Sequence, residues 1–189
     1  MKSNVKPTSE EIDRALIDIA AFVFARHGFA QGTVQAIADA AGYSKAAVLK
    51  RFGSKERIQD AVVAHAEQAS STLARIGAAQ PVGPRRDTVL VEALVEMLGE
   101  RPGMGALVMG AFWLTREPEV LERLTGAQRT LMEAFDPGVW GDEERRVRVV
   151  AAIGAVTAAM MARRDENHPD RADVIVAAGL GALGHRPGS

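Results

Sequence analysis

Between Ser44 and Arg57 the chain sets Lys45, Lys50, Arg51, Lys55 and Arg57 against a single acid, Glu56. Cations at this density suit a polyanion. Each one that meets a phosphate releases a condensed counterion, and that release supplies most non-specific nucleic-acid affinity. Thr33, Ser44 and Ser54 place hydroxyls where short helices are expected to begin, and a helix N-terminus offers a phosphate free N–H groups and the positive end of the dipole. The same residues would also serve as the solvated face of a scaffold. Over the whole chain, 23 Lys and Arg stand against 24 Asp and Glu, a formal charge of −1. The basicity is therefore local, which argues against coating nucleic acid through overall charge.

Other chemistries find less support. Without cysteine there is no disulfide framework, thiolate metal site or Cys nucleophile. Histidines 27, 65, 168 and 185 lack metal-ligand spacing, so no metal and no cofactor is expected. Ser3-Asn4-Val5-Lys6 fits S-x-x-K but lacks the partner motifs of that chemistry. Gly179-Leu180-Gly181-Ala182-Leu183-Gly184 fits G-x-G-x-x-G, yet no second strand or distant acid follows it; close helix packing explains these glycines better. Asp142-Glu143-Glu144 and Asp165-Glu166 read as capping and solvated acids. An enzyme is thus the minor alternative, beside a helical module that binds a protein partner.

The elements that must position the basic segment are helical. Aromatics are 5% of a chain in which 47% of residues are hydrophobic, a balance that favours helices over strands. Thr8 and Glu11 form a capping box ahead of Ile12, Leu16, Ile19 and Val23, and Gly28 supplies a stop. Thr33 opens a short helix with Val34, Ile37, Ala38 and Ala41, closed by Gly42; Ser44 opens another to about Phe52. Ser54 opens a long one whose stripe runs Ile58, Val62, His65, Ala69, Leu73 and Ile76 before Gly77. Pro81-Val82-Gly83-Pro84 reads as a linker, and Asp87 as the cap of the next helix. Further helices are expected over about 103–115, 118–135, 142–164 and 170–183. The expected organisation is a headpiece over 1–53, a connecting helix over 54–80 and a helical domain over 81–189.

Two short helices joined by a glycine turn and braced by an earlier one form a helix-turn-helix, whose second helix enters the major groove. Val48 and Phe52 can face inward, leaving Lys45, Leu49, Lys50 and Arg51 on or near the outer face. The segment Thr33-Val34-Gln35-Ala36-Ile37-Ala38-Asp39-Ala40-Ala41-Gly42-Tyr43-Ser44-Lys45, followed by Phe52-Gly53-Ser54-Lys55-Glu56, resembles the headpiece of the TetR family of transcriptional regulators. Ala20-Ala21-Phe22 through Gly28-Phe29 fits that family's first helix. The resemblance covers about the first third of the chain.

It implies an all-α fold of about nine helices, with a three-helix helix-turn-helix headpiece and a C-terminal helical ligand-binding and dimerisation domain. It implies base contacts from Gln35, Lys45, Ala46 and Leu49, and backbone contacts from Thr33, Ser44, Lys50, Arg51 and Lys55 on double-stranded DNA. Leu49 stands where the family commonly has Tyr, and Ala46 where Gly or Pro is frequent, so the operator sequence is this chain's own. It further implies a homodimer through the last two long helices, reading a palindromic operator in the cytoplasm, commonly as a repressor.

The residues support such pairing. Val149, Ile153, Val156 and Met160 lie in an apolar run over 149–162, too short to span a bilayer at roughly 20 residues. Val174, Ala178 and Gly181 of the last helix permit close approach. A small-molecule effector site is expected between the middle helices, from Met97, Leu107, Met109, Phe112, Trp113, Met132 and Phe135, because Met and aromatics line adaptable apolar sites. Met and Phe at helical spacing also serve simply as core. Few charges interrupt the set, which favours an apolar or weakly polar ligand.

Overall fold

The computed structural model describes residues 7–114, 118–162 and 172–185, except the side chains of 109–114. Every regular element among the described residues is a helix. The first four are α1 (Ser9–His27), α2 (Val34–Ala41), α3 (Lys45–Phe52) and α4 (Lys55–Ala78). There follow α5 (Pro84–Glu100), α6 (Pro102–Leu114), α7 (Pro118–Phe135), α8 (Glu143–Ala162) and α9 (Ala172–Leu183). Among the described residues this is the expected all-α, nine-helix architecture.

The start signals work as local chemistry predicts. Glu11 donates its backbone N–H to Thr8 Oγ1 at 3.2 Å, and Thr8 donates its own to Glu11 Oε2 at 2.6 Å, closing the capping box. The side-chain oxygens of Thr33, Ser44 and Ser54 accept from Ala36, Ala47 and Arg57 N–H at 3.1, 3.1 and 3.3 Å. Asp142 does the same for Arg145 at 3.0 Å. The cap expected at Asp170 lies outside the described residues.

Asp87 corrects the sequence reading. Gly83 occupies the N-cap position of α5 and Pro84 its first turn, while Asp87 is 1% exposed inside the fold. Its carboxylate accepts two hydrogen bonds from Arg145 of α8, at 2.6 and 3.0 Å, and lies 2.8 Å from His185 Nε2. A carboxylate here is tolerable because it is paired and multiply hydrogen-bonded. In turn it holds the Arg145 guanidinium above its ordinary pKa. Residues 81–83 make a tight turn, and the Gln80 carbonyl just before it accepts from Arg86 at 2.9 and 2.6 Å.

Two glycines mark where helices approach closely. Gly77 does not stop α4; it lies against the Ala134 carbonyl of α7, where a Cβ would overlap. Gly103, in the first turn of α6, meets the backbone carbonyl of Asp18 on α1. There the Asp18 carboxylate accepts the N–H of Gly103 at 3.0 Å and of Met104 at 3.2 Å. An acid from α1 thus satisfies free donors at the N-terminus of α6 and meets the positive end of its dipole.

The G-x-G-x-x-G run belongs to α9. Gly179 packs where a Cβ would fall 2.8 Å from a Val156 methyl, and Gly184 takes φ +95° just past the helix end.

Gly103→Ala should therefore lower stability by about 1–3 kcal/mol in urea unfolding, as overpacking does. Gly126→Ala, in mid-α7 with nothing within 4 Å, should instead be neutral or stabilise by up to about 1 kcal/mol.

Candidate DNA-reading headpiece and effector cavity

The headpiece packs on buried residues from each of its helices. Val48 is the fully buried residue of α3 at 0% exposure, packing in the cluster that holds Ile37 and Ala38 of α2 and Phe24 of α1. Burying a side chain of this size stabilises by about 1.5–3 kcal/mol. It also fixes the rotation of α3, since the neighbouring positions must then point away. Gly42 makes the turn at φ +69°, and the Tyr43 N–H returns to the Ala38 carbonyl at 2.9 Å.

That rotation leaves Lys45, Ala46 and Lys50 exposed, with Ser44 and Thr33 at the adjacent helix starts. Both hydroxyls already accept an N–H, so each keeps its own O–H to donate. Gln35 is exposed and donates to Asp39 at 2.7 Å. Leu49 is half-buried and packs partly on the core.

Two of the expected phosphate ligands have internal partners. Arg51 donates to the Ser9 carbonyl at 3.1 Å, to Ser9 Oγ at 3.0 Å and to Asp13, bracing α3 against the start of α1. Lys55 donates to the Ala30 carbonyl at 2.6 Å, holding the loop before α2. The exposed cations of α3 without such a brace are Lys45 and Lys50.

Below the headpiece lies a cavity of about 470 Å³ between α4, α5, α6, α7 and α8, within the roughly 300–1,000 Å³ of small-molecule sites. Its rim residues Leu121, Thr125 and Val150 are exposed, which opens it between α7 and α8. Of the expected ligand residues, Met97, Leu107 and Met132 line it. Phe135 does not: it is 1% exposed in the core. The side chains of Met109, Phe112 and Trp113 lie outside the described residues. Sequence reasoning missed Ala69, Ser70 and Leu73 of α4 and Thr157 of α8. The one available signal was a lone hydroxyl, Thr157, inside an apolar run.

The same helix serves both places. On α4, Ile58 and Val62 are buried at 1% and 0% exposure beside the headpiece, and Gln59 donates to the Phe29 carbonyl at 2.8 Å. Fifteen residues along, Leu73 lines the cavity. Arg123 of α7 clamps α4 through both oxygens of Glu67, at 2.9 and 2.7 Å, and holds that carboxyl below its usual pKa.

The expected dimer residues divide. Val149, Ile153 and Val156 are 0%, 7% and 0% exposed and turn into the chain's own core, and Met160 is half-buried. The outward stripe of α8 is instead Val147, Val150, Ala151 and Ala158. Val174, Ala178 and Gly181 of α9 are exposed. Among the described residues no helix is long and apolar enough to cross a membrane.

Residues 16–62 match the family model of the bacterial regulatory proteins of the tetR family. The fold is shared with solved structures along nearly the whole chain. A TetR-family transcriptional regulator from Bordetella parapertussis aligns with a TM-score of 0.64 and 17% identity, over 92% of this chain and 94% of that one. PfmR from Thermus thermophilus gives 0.55 and 24%, over 89% and 96%. FadR from Bacillus subtilis, solved with stearoyl-CoA, gives 0.56 and 16%, over 89% and 94%. No curated protein matches. Headpiece and fold together are similar to those of helix-turn-helix transcriptional regulators. The match to the family model covers the headpiece, residues 16–62.

His65, 8% exposed on α4, has its Nε2 buried without a partner among the described residues. Burial first, then the charges of Arg101 and Arg14, lowers its pKa below the ordinary 6.5. Above pH 6.5 both folded and unfolded states hold it neutral; below, the unfolded chain takes up a proton the folded one resists, so stability falls with pH. Between pH 7 and 5 the wild type should lose stability with up to about 1.4 kcal/mol per pH unit more slope than His65→Leu, read by urea unfolding.

Proposed function

We propose that the chain acts as a homodimeric, effector-responsive repressor, reading a palindromic operator through paired α3 helices and releasing it when a small apolar or weakly polar molecule fills the cavity. The observation that carries this reading is α4, which packs on the headpiece through Ile58 and Val62 and lines the cavity through Ala69, Ser70 and Leu73. A ligand seated in the cavity bears on the helix that sets the height and tilt of α3. It shifts the population only to the extent that it binds one conformer better than the other.

The outward faces of α8 and α9, small and apolar from Val147 to Gly181, support pairing as a four-helix bundle. Isologous pairing would present two α3 helices about 34 Å apart, one turn of DNA. Val150 belongs both to that outward stripe and to the cavity rim, so a partner docked there would border the mouth. Base contacts fall to Gln35, Lys45 and Ala46, with an edge of Leu49 toward a thymine methyl. Backbone contacts fall to Thr33, Ser44 and Lys50, with Arg51 and Lys55 holding the headpiece in shape while offering their remaining donors.

The function test is selection of bound duplexes from a random pool by the purified protein at moderate salt. Enrichment of a palindrome with half-sites one turn apart is expected; a folded dimer that enriches nothing would refute the operator reading. On the selected site, Lys50→Ala should flatten the dependence of log K on log salt, measured by fluorescence anisotropy, by about one unit for the phosphate the variant no longer neutralises. An unchanged slope would remove Lys50 from the phosphate path.

A further inference from the structure

The cavity sorts its polarity by depth. Along α7 it is lined at Leu121, Thr125, Gln128 and Met132, a spacing that keeps to one helix face. Exposure falls in that order: Leu121 and Thr125 stand exposed at the rim, Gln128 is half-buried and Met132 is buried. Gln128 therefore stands just inside the mouth, where a molecule seated in the cavity can reach it. The far end is hydrocarbon, with Leu73, Leu94, Leu98 and Leu107 each 2% exposed.

Gln128 is the one carboxamide among the described lining residues, and among the described residues it has no hydrogen-bond partner. Its side chain carries two N–H donors and a carbonyl acceptor. The other polar groups are engaged or enclosed. Ser70 donates to the Ala66 carbonyl at 2.9 Å. Thr157 is 0% exposed, so its hydroxyl is closed to a ligand. None of the described lining residues is Lys, Arg, His, Asp or Glu. A charged head group drawn into such a mouth would lose hydration without gaining a counter-ion. An uncharged one that both donates and accepts would find both complements at Gln128.

We infer that the effector is an uncharged amphipathic molecule that lies with its hydrocarbon end among the leucines and its head group, both donor and acceptor, on the Gln128 carboxamide at the mouth. The inference rests on the sensor reading of the cavity given above. It separates the roles of the lining: apolar contacts supply affinity, and Gln128 selects the head group and its orientation.

The test uses the full-length protein and three probes on one ring system: naphthalene, 1-naphthamide and 1-naphthoate. Each is titrated calorimetrically into wild type, Gln128→Leu and Gln128→Lys. Wild type should bind the amide about five- to tenfold tighter than naphthalene, the factor expected for one net hydrogen bond, and tighter than the naphthoate. In Gln128→Leu the advantage of the amide should vanish while naphthalene binds at least as tightly as before. In Gln128→Lys the naphthoate should become the tightest ligand, because a cation then stands where the head group lies. Equal binding of amide and naphthalene by wild type would overturn the inference. So would an amide advantage that survives in Gln128→Leu, loss of naphthalene binding there, tightest binding of the naphthoate by wild type, or a lysine variant that favours the naphthoate no more than wild type does. In these cases uptake of naphthalene by wild type leaves the sensor reading standing; uptake of none of the probes overturns both.

Discussion

The molecule depends on the unbroken burial of one side of α4. Ile58, Val62 and Val63 at one end belong to the headpiece core, and Ala69 and Leu73 at the other close the cavity. A helix of 24 residues is about 36 Å long and does not stretch. Packed interiors do not deform smoothly, so a side chain pushed at the cavity end is accommodated by moving the helix as a body rather than by local give. Arg123 on Glu67 and the close approach of Gly77 to Ala134 tie the same helix to α7, whose other residues line the cavity.

A second connection runs through α6. Its N-terminal N–H groups bond to Asp18 of α1, at a contact so close that only glycine fits at position 103. The headpiece is therefore held at two points, α4 from within and the start of α6 from outside. Both helices carry cavity-lining residues, Leu73 on α4 and Met104 and Leu107 on α6. Headpiece and cavity are thus joined through two helices at once.

Charge is sorted by task. The buried Asp87–Arg145–His185 group and the Arg123–Glu67 clamp join helices of the C-terminal domain, and Arg51 and Lys55 fasten the headpiece to itself. What is left outward on α3 is a small positive face from Lys45 and Lys50. That is how a chain of net charge −1 carries a cationic face without being basic overall.

Local signals determined the headpiece from the sequence by itself. Thr8, Thr33, Ser44 and Ser54 cap helices by hydrogen bonds spanning three residues, and Gly42 supplies its own positive φ. Each of these acts within a few residues, so its outcome is written where the residue stands. Tertiary structure alone decided the rest. The run over 149–162 is apolar on nearly every side, so periodicity carries no phase, and only packing against α5, α6 and α9 turned Val149, Ile153 and Val156 inward and Val150 outward. Asp87 reads as a cap until Arg145, far along the chain, reaches it. The cavity draws on five helices, and whether the Thr157 hydroxyl has a partner is a property of its neighbours in space, because hydrogen-bond satisfaction is settled by distances that no sequence spacing records.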